Sequence, residues 1–368
     1  MSEGKRVRVG LIVNPVAGMG GSVGLKGTDG QVQRAVRLGA LPVTPERTRE
    51  FVSRIKGKER IDFWVAPDRM GALFVPEAVR VVGKRKKRTS AADTRRIARE
   101  MVDGGVELLV FVGGDGTARD VEDAVGRAVP VVAVPGGVKV FSSVFAVNPR
   151  AAAAMVDVFL EGAELEEEEV LDIDEQAFRD NRLAAKPYGT LLTPKAPSFR
   201  QRGKECSRTD AGATESKRRL AASVAEGMEP DTLYLLGPGT TVKAVAEAAG
   251  VEKTLLGVDA VMEGRLVGRD LSEAGILRLL ESHEASRIIV TPIGGNGFLF
   301  GRGNRQFTPG VLRRVGVENV MVVAAANKLA ALEVLHVDTG DCSLDESFCG
   351  TIGVIVGDRE TVKMQVRG

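Results

Sequence analysis

The chain repeatedly runs through a short apolar, β-branched segment and stops in a loop of glycine or proline. Val7 to Val13 (VRVGLIV) leads into Asn14-Pro15-Val16-Ala17-Gly18-Met19-Gly20-Gly21. Ile61 to Ala66 (IDFWVA) leads into Pro67 to Gly71, and Val106 to Val112 (VELLVFV) into Gly113-Gly114-Asp115-Gly116-Thr117. Val131 to Val134 leads into Pro135-Gly136-Gly137-Val138-Lys139. Helical patterns lie between them, over Pro45 to Ile55, Thr89 to Val102, Thr117 to Arg127 and Pro149 to Leu160. Apolar runs that alternate with helices predict a parallel sheet covered on both faces. The expected fold class is α/β, a parallel-sheet N-terminal domain plus a second, mixed α/β domain. In open parallel sheets ligands sit outside the carboxyl ends of the strands, and these loops occupy those ends.

After an acidic stretch, Glu161 to Glu169, the pattern weakens. Val170 to Leu192 reads as short strands. Residues 195–220 carry eight Lys/Arg and three Asp/Glu, which fits a solvated loop or an irregular helix start. Strands resume at Leu233 to Leu236, Ile288 to Thr291, Val320 to Ala324, Glu333 to Val337 and Thr351 to Val356, with helices after Gly239 and over Leu271 to Ser282. The expected boundaries are residues 1–160 for the first α/β domain and 161–368 for the second, mixed one.

Composition excludes several classes. Glycine is 44 of 368 residues with 43% apolar residues, which argues against collagen and disorder. Fifty-one basic against 49 acidic residues give a net charge of +2, not the balance of a nucleic-acid binder. Three cysteines (Cys206, Cys342, Cys349) and two histidines (His283, His336) offer no zinc-ligand spacing and no disulfide framework. No apolar stretch reaches the ~18 residues a membrane span needs. A cytoplasmic homo-oligomer is expected, without nucleic acid or membrane as partner.

The most informative loop is Gly113 to Thr117. Its glycines let backbone N–H groups approach an oxyanion, and the following helix start adds partial positive charge. Thr117 and Asp120 have the spacing of a capping box. An acid among anion-binding amides is explained if Asp115 holds Mg²⁺ or takes a proton from a hydroxyl that attacks a γ-phosphate; the plainer reading is a tight turn capped by Asp115. Asn14 to Gly30 carries six glycines in 17 residues without a Walker A pattern. It suits a loop wrapping a polyphosphate, with Lys26 as counter-charge, or a flexible surface loop. Gly136, Gly137 and Lys139, with Ser142 and Ser143 beyond, read as phosphate or ribose contacts or as a turn. Gly237, Gly239, Thr240 and Thr241 form another strand–loop–helix sequence. In Thr291 to Gln306, Gly294, Gly295, Asn296, Arg302 and Asn304 offer anion and base-edge donors, or mark a glycine-bent strand pair.

These stretches resemble the superfamily that unites NAD kinases with diacylglycerol and sphingosine kinases. They resemble most the ATP-NAD kinase family, in its branch with acetoin-catabolism protein X-like members. GLIVNPVAGMGGSVGLKGTDG, FVGGDGTARDV, LYLLGPGTTVKAV, TPIGGNGFLFGRGNRQFTP and HVDTGD carry the likeness across residues 10–341. The resemblance implies ATP and Mg²⁺ as donor and metal, NAD as acceptor, and Asp115 as proton acceptor for a ribose hydroxyl. Lys26 and Arg119 would screen the phosphates. The Asn-Glu pair and the GSTAY-type motif of better-known NAD kinases are absent, and Phe141 stands where relatives lead one to expect histidine. The acceptor therefore stays open between NAD and another small hydroxylated metabolite, and the donor between ATP and polyphosphate. A nucleotide-binding sensor without turnover is the other class to test.

Overall fold

The computed structural model describes residues 6–20, 23, 25, 31–136, 140–173, 185–200, 211–293, 297–358 and 360–368. Internal contacts group the chain into two units. The first takes Met1–Met19, Gly27–Val32 and Leu41–Lys204; the second takes Gly20–Lys26, Gln33–Ala40 and Glu205–Gly368.

In chain order the first half contains β1 (Val7–Val13), α1 (Val32–Arg37), α2 (Thr44–Arg54), β2 (Ile61–Val65), β3 (Arg80–Val81) and α3 (Ala91–Asp103). Then come β4 (Leu108–Gly113), α4 (Asp115–Val125), β5 (Val131–Pro135), α5 (Pro149–Leu160), β6 (Leu165–Ile173) and β7 (Ala185–Pro194). All of these but most of α1 belong to the first unit. Its sheet has the order β3-β2-β1-β4-β5 and is parallel throughout. Strand residues alternate between faces. Val9, Leu11, Val13, Val110, Val112, Val132 and Val134 pack with Phe51 and Val52 of α2 and Met155 and Val156 of α5. Ile12, Trp64, Leu109, Phe111 and Ala133 pack with Ile97 and Met101 of α3 and Val121 of α4. Helices on both faces explain why these strands read as unbroken apolar runs.

The connection from β1 leads away toward β2, while β4 leads the opposite way to β5. The adjacent ends of β1 and β4 therefore form the point at which the strand order reverses, the usual ligand position in such sheets.

The acidic run is a strand, which the sequence reading did not expect. β6 pairs antiparallel with β7, and its carboxylates meet cations distant in sequence. Arg200 pairs with Glu166 and Glu168, Arg127 with Glu167, and Lys195 with Glu164 just before the strand. The change of composition at 161 thus marks the start of this hairpin, and the first unit extends to Lys204. Of the basic 195–220 stretch, 201–210 lie outside the described residues, and its end is helical.

The second unit holds α6 (Ala211–Glu226), β8 (Leu233–Leu236), α7 (Thr240–Ala248), β9 (Asp259–Met262), β10 (Arg265–Gly268), α8 (Glu273–Glu281), β11 (Ser286–Val290) and β12 (Phe298–Phe300). It continues with α9 (Pro309–Val315), β13 (Val320–Val323), α10 (Ala326–Ala330), β14 (Leu335–Val337), α11 (Cys342–Phe348), β15 (Gly350–Gly357) and β16 (Glu360–Arg367). Among the described residues its sheet has the order β10-β9-β8-β11-β13-β15-β16-β14-β12. β8, β11, β13 and β15 run parallel, and β9 and β16 run antiparallel to their neighbours β8 and β15. Tyr234, Leu236 and Ile289 face α6 and α7. Leu233, Leu235, Ile288 and Val290 face α8 and α9. This is the mixed α/β architecture expected. β9, β10, α9, α10, α11 and β16 are additional to the sequence reading.

Candidate functional site

The site in the first unit is assembled where β1, β4 and β5 end. Gly113 closes β4, and its amide-bearing turn passes directly into α4. The helix begins earlier than the capping-box reading placed it: Gly114 is its cap and Asp115 its first residue. Thr117 lies inside the first turn, buried, where its Oγ1 accepts from Asn14 Nδ2 at 3.0 Å. Asp120 does not cap; its carboxylate pairs with Arg95. The Asn14 amide N–H reaches the Val112 carbonyl at 2.9 Å, and its Oδ1 accepts from the Val16 amide at 3.2 Å. One asparagine thus ties the loop after β1 to both β4 and α4 at the reversal point.

The glycines are there for close approach. A Cβ on Gly113 would overlap the Thr117 side chain, and one on Gly136 would lie 2.7 Å from Thr44 Cγ2 and 3.2 Å from the Gly113 nitrogen. The Gly136 amide donates to the Gly113 carbonyl at 2.7 Å. The turns after β4 and β5 meet backbone to backbone, and the Thr44 methyl at the start of α2 packs against them.

Asp115 is buried. It faces the segment after β5 rather than its own helix. Phe141 donates its amide N–H to both carboxylate oxygens, at 3.1 and 2.9 Å. Ser142 donates its amide at 2.9 Å and its hydroxyl at 2.5 Å to Oδ1. The bond from Phe141 is made by the backbone, so it is indifferent to phenylalanine standing in place of histidine. Ser142 Oγ also accepts from the Leu171 amide, and Ser143 Oγ from the Glu169 amide, both at 2.9 Å. The two serines, read from sequence as ligand hydroxyls, stitch this segment to β6. Arg119 is likewise engaged in a way the sequence did not disclose: it pairs with Asp172 and lies 5.8 Å over the Tyr188 ring.

Thr44 was missed by the sequence reading. It opens α2 ahead of Pro45, is fully buried, and its Oγ1 has no hydrogen-bond partner among the described residues. An unpaired buried hydroxyl costs about 1–3 kcal/mol, and this one stands beside the Gly136 turn at the strand ends. The signal was available: a threonine-proline pair at a helix start, in the crossover that leaves β1.

Gly18 turns the chain after β1 with φ +77°, and Gly20 is buried in the same turn. In the second unit, Gly237, Gly239, Thr240 and Thr241 sit together where β8 meets α7. The Gly237 amide donates to the Ile289 carbonyl at 2.9 Å, and Gly239, the helix cap, has φ +118°. Arg302 and Asn304 follow β12, both buried. The Arg302 guanidinium lies 4.5 Å over the Phe298 ring, and Asn304 Nδ2 donates to the Leu299 carbonyl at 2.7 Å. Their observed contacts hold a glycine-rich bend. His336 stacks on the same Phe298, and burial, reinforced by Arg302 and Arg367, pushes its pKa down to about 4. His283 lies at the end of α8 against the Leu279 carbonyl. Gly21, Lys26, Gly137, Lys139, Gly294, Gly295 and Asn296 lie outside the described residues. Among the described residues no group of three or more His, Cys, Asp or Glu could hold a metal ion, and no helix is long and apolar enough to cross a membrane.

A parallel sheet with glycine turns at its strand ends and an acid opening a helix at the reversal point, followed by a second mixed α/β unit, defines a narrow class of two-unit α/β proteins. The chain belongs to the ATP-NAD kinase family: the model of the ATP-NAD kinase N-terminal domain matches residues 9–164, and that of the C-terminal domain matches residues 230–366. No curated protein matches it. Two solved structures described as diacylglycerol kinases, the first as a putative one and both from Bacillus anthracis str. Sterne, are similar over part of their length. The first has 16% identity and a TM-score of 0.23, over 47% of this chain and 45% of that one. The other has 12% identity and a TM-score of 0.24, over 64% and 60%. The chain thus spans about half of the first structure's length, and at such scores neither likeness informs the choice of substrate.

Proposed function

We propose that the protein is an ATP-dependent small-molecule kinase that transfers a phosphoryl group to a ribose hydroxyl of NAD, giving NADP. The observation that carries this reading is the buried carboxylate of Asp115 at the start of α4, beside the β1–β4 reversal point. Family membership supplies the reaction class. In the proposed step the acceptor oxygen forms a bond to the γ-phosphorus as the bond to the β-phosphate oxygen breaks. The hydroxyl proton passes to Asp115, and ADP leaves. The Asp115 carboxylate, already accepting from Phe141 and Ser142, is assigned to the acceptor hydroxyl.

The residues fit the implied groups. The unpartnered Thr44 hydroxyl and the Gly113–Gly136 cradle suit phosphate oxygens. Mg²⁺ needs only one or two protein carboxylates beside phosphates and water; Asp115 can serve as that ligand or as the proton acceptor, one role excluding the other. Bound there, Mg²⁺ would neutralise charge on the transferring phosphoryl group. Asn14, Gly18, Gly20, Gly113, Gly114, Gly116, Thr117 and Gly136 are assigned to donor positioning; Gly237, Gly239, Thr240, Thr241, Arg302 and Asn304 are assigned to ligand contacts of the second unit. Arg119 contributes only if it exchanges Asp172 for phosphate. Residues 1–160 are thus read as the nucleotide-binding part and the remainder as the substrate-binding part, in a cytoplasmic homo-oligomer.

A specific observation favours a second reading. The contacts of Asp115 with Phe141 and Ser142 are also what a purely structural tie would make, which suits a nucleotide-binding sensor without turnover. A coupled assay of ATP consumption with NAD and Mg²⁺ separates the two. Mass shifts of one phosphate across a panel of hydroxylated acceptors, with ATP or polyphosphate as donor, identify the substrate pair. Nucleotide binding with no turnover on any acceptor decides for the sensor.

A further inference from the structure

Lys253 is a buried cation that the proposed chemistry does not use. Its side chain and that of Asp259 are fully buried, with Nζ 3.9 Å from Asp259 Oδ2. Nζ donates to the Thr254 carbonyl at 2.6 Å and to the Gly257 carbonyl at 3.3 Å. Asp259 Oδ2 accepts from the Thr254 amide at 2.6 Å and hydroxyl at 2.9 Å, and Oδ1 from the Asp270 amide at 2.6 Å. Gly257 is confined as well, since a Cβ there would overlap Asp270 and crowd Thr254 Oγ1. Residues 253–259 are therefore a knot wound around one ammonium–carboxylate pair.

The knot touches one functional loop at two places. Asp259 begins β9 directly opposite Leu236, the last residue of β8. The Leu255 carbonyl accepts the Gly239 amide N–H at 2.9 Å. Gly239 caps α7 at φ +118°, a conformation open to glycine, and the Leu255 carbonyl fixes its amide.

We propose that Lys253 is a positioning residue: through residues 254–257 it fixes the Leu255 carbonyl that holds Gly239, and so sets the shape of the Gly237–Thr241 loop. The proposal deepens the assignment of that loop to ligand binding and rests on it for its functional consequence. It also carries a pH signature. Burial pushes Lys253 down to about 8, against the opposing pull of Asp259 and Asp270, with Lys243 lowering it slightly further. Above that pH the neutral amine keeps two donors but loses its charge opposite Asp259. The folded chain then binds fewer protons than the unfolded one between pH 8 and the ordinary lysine value of 10.5. Over that interval this group's contribution to global stability rises with pH. Opening the loop would release Lys253 to water, so by the same linkage loop protection should rise with pH over that interval.

The test is hydrogen exchange on the full chain, normalised to intrinsic rates. Peptides over 237–243 are compared in the wild type at pH 7 and 9, and in Lys253→Met at pH 7. Binding of Mg·ATP and of NAD is measured in parallel. Protection over this loop should fall about tenfold in the variant, the loss of one net hydrogen bond, and rise several-fold in the wild type at pH 9. The rest of the second unit should hold. Unchanged protection in both comparisons overturns the proposal, as does loss spread across the whole unit. Lost protection with unaltered ATP and NAD affinities supports the positioning role and removes the loop from the ligand assignment, so the two claims fail separately. The wild-type pH comparison remains decisive if the variant does not fold.

Discussion

The turn from β4 into α4 and the turn from β8 into α7 have the same sequence grammar, an apolar strand, glycines, then threonine at or near the helix start. They are fastened differently. The first adds side-chain ties to its backbone bonds: Asn14 on Thr117, and its own Asp115 on the segment at 141–142. The second is held by backbone, Gly237 on Ile289 and Gly239 on Leu255, with a buried ion pair behind it. A turn made by side chains can carry chemistry, because a carboxylate or hydroxyl is already in place. A turn held by backbone presents amides and shape. The difference divides the proposed labour between reaction and recognition.

The sharpest way to break this contrast is Asp115→Asn. The amide Nδ2 would face N–H donors at Phe141 and Ser142. Turnover should fall about 10²–10⁴-fold, the range for a lost general base, and stability by about 1–3 kcal/mol for unsatisfied buried donors. Ser142→Ala removes one of the same bonds while sparing the carboxylate, and should cost less than about tenfold in kcat. Equal losses from both variants would make Asp115 a tie and nothing more. Near-normal turnover in the asparagine variant would remove it from the mechanism.

Acid should separate the units next. His336 lies in the second unit with its pKa held near 4, against an ordinary 6.5. Between those values the unfolded chain binds the proton and the folded one does not, so stability is lost as pH falls through this window. The loss approaches about 3 kcal/mol by pH 4. Chemical denaturation from pH 7 to 4 should show it, and His336→Phe should flatten it. A variant curve parallel to the wild type would refute the assignment.

Backbone approach predicts a smaller asymmetry. In Gly113→Ala the new methyl overlaps Thr117, whereas in Gly237→Ala it meets Val290 Cγ1 at 3.0 Å and the Phe307 ring at 3.3 Å. The first should cost about 1–3 kcal/mol by urea denaturation and the second less. The reverse order would mean that the first turn relaxes more readily than its packing indicates.

Legibility in the sequence followed the range of the forces involved. α5 runs Pro149–Leu160 as read, because its signals are local: Pro149 at the first turn and Asn148 accepting the Ala151 amide at 2.8 Å. The parallel strands were legible because burial on both faces leaves apolar runs. Glu164 to Glu169 were not legible as a strand, since Arg127 and Arg200, which neutralise them, are far away in sequence. The candidate site divides in the same way. Asp115 announces itself by being an acid among glycines. That Arg119 is paired depends on Asp172, 53 residues on, and that Ser142 serves Asp115 depends on the path after β5. The sequence showed which groups are present at the strand ends but not which are already engaged.

Thr44 gives the smallest effect on stability and a pointed test of whether the first turn extends to α2. Its methyl packs on the Gly136 position while its hydroxyl stays unpaired. Thr44→Val keeps the shape and removes only the unsatisfied group, so stability should be unchanged or rise by up to about 1 kcal/mol. If the hydroxyl serves a phosphate oxygen, Mg·ATP should bind about tenfold more weakly, the worth of one such bond. A stabilised variant with weaker binding is the outcome expected of a group kept for a ligand at a cost to the fold. Loss of stability with unchanged affinity would instead show that Thr44 is core, and would confine the side-chain-built turn to Asn14, Asp115 and Thr117.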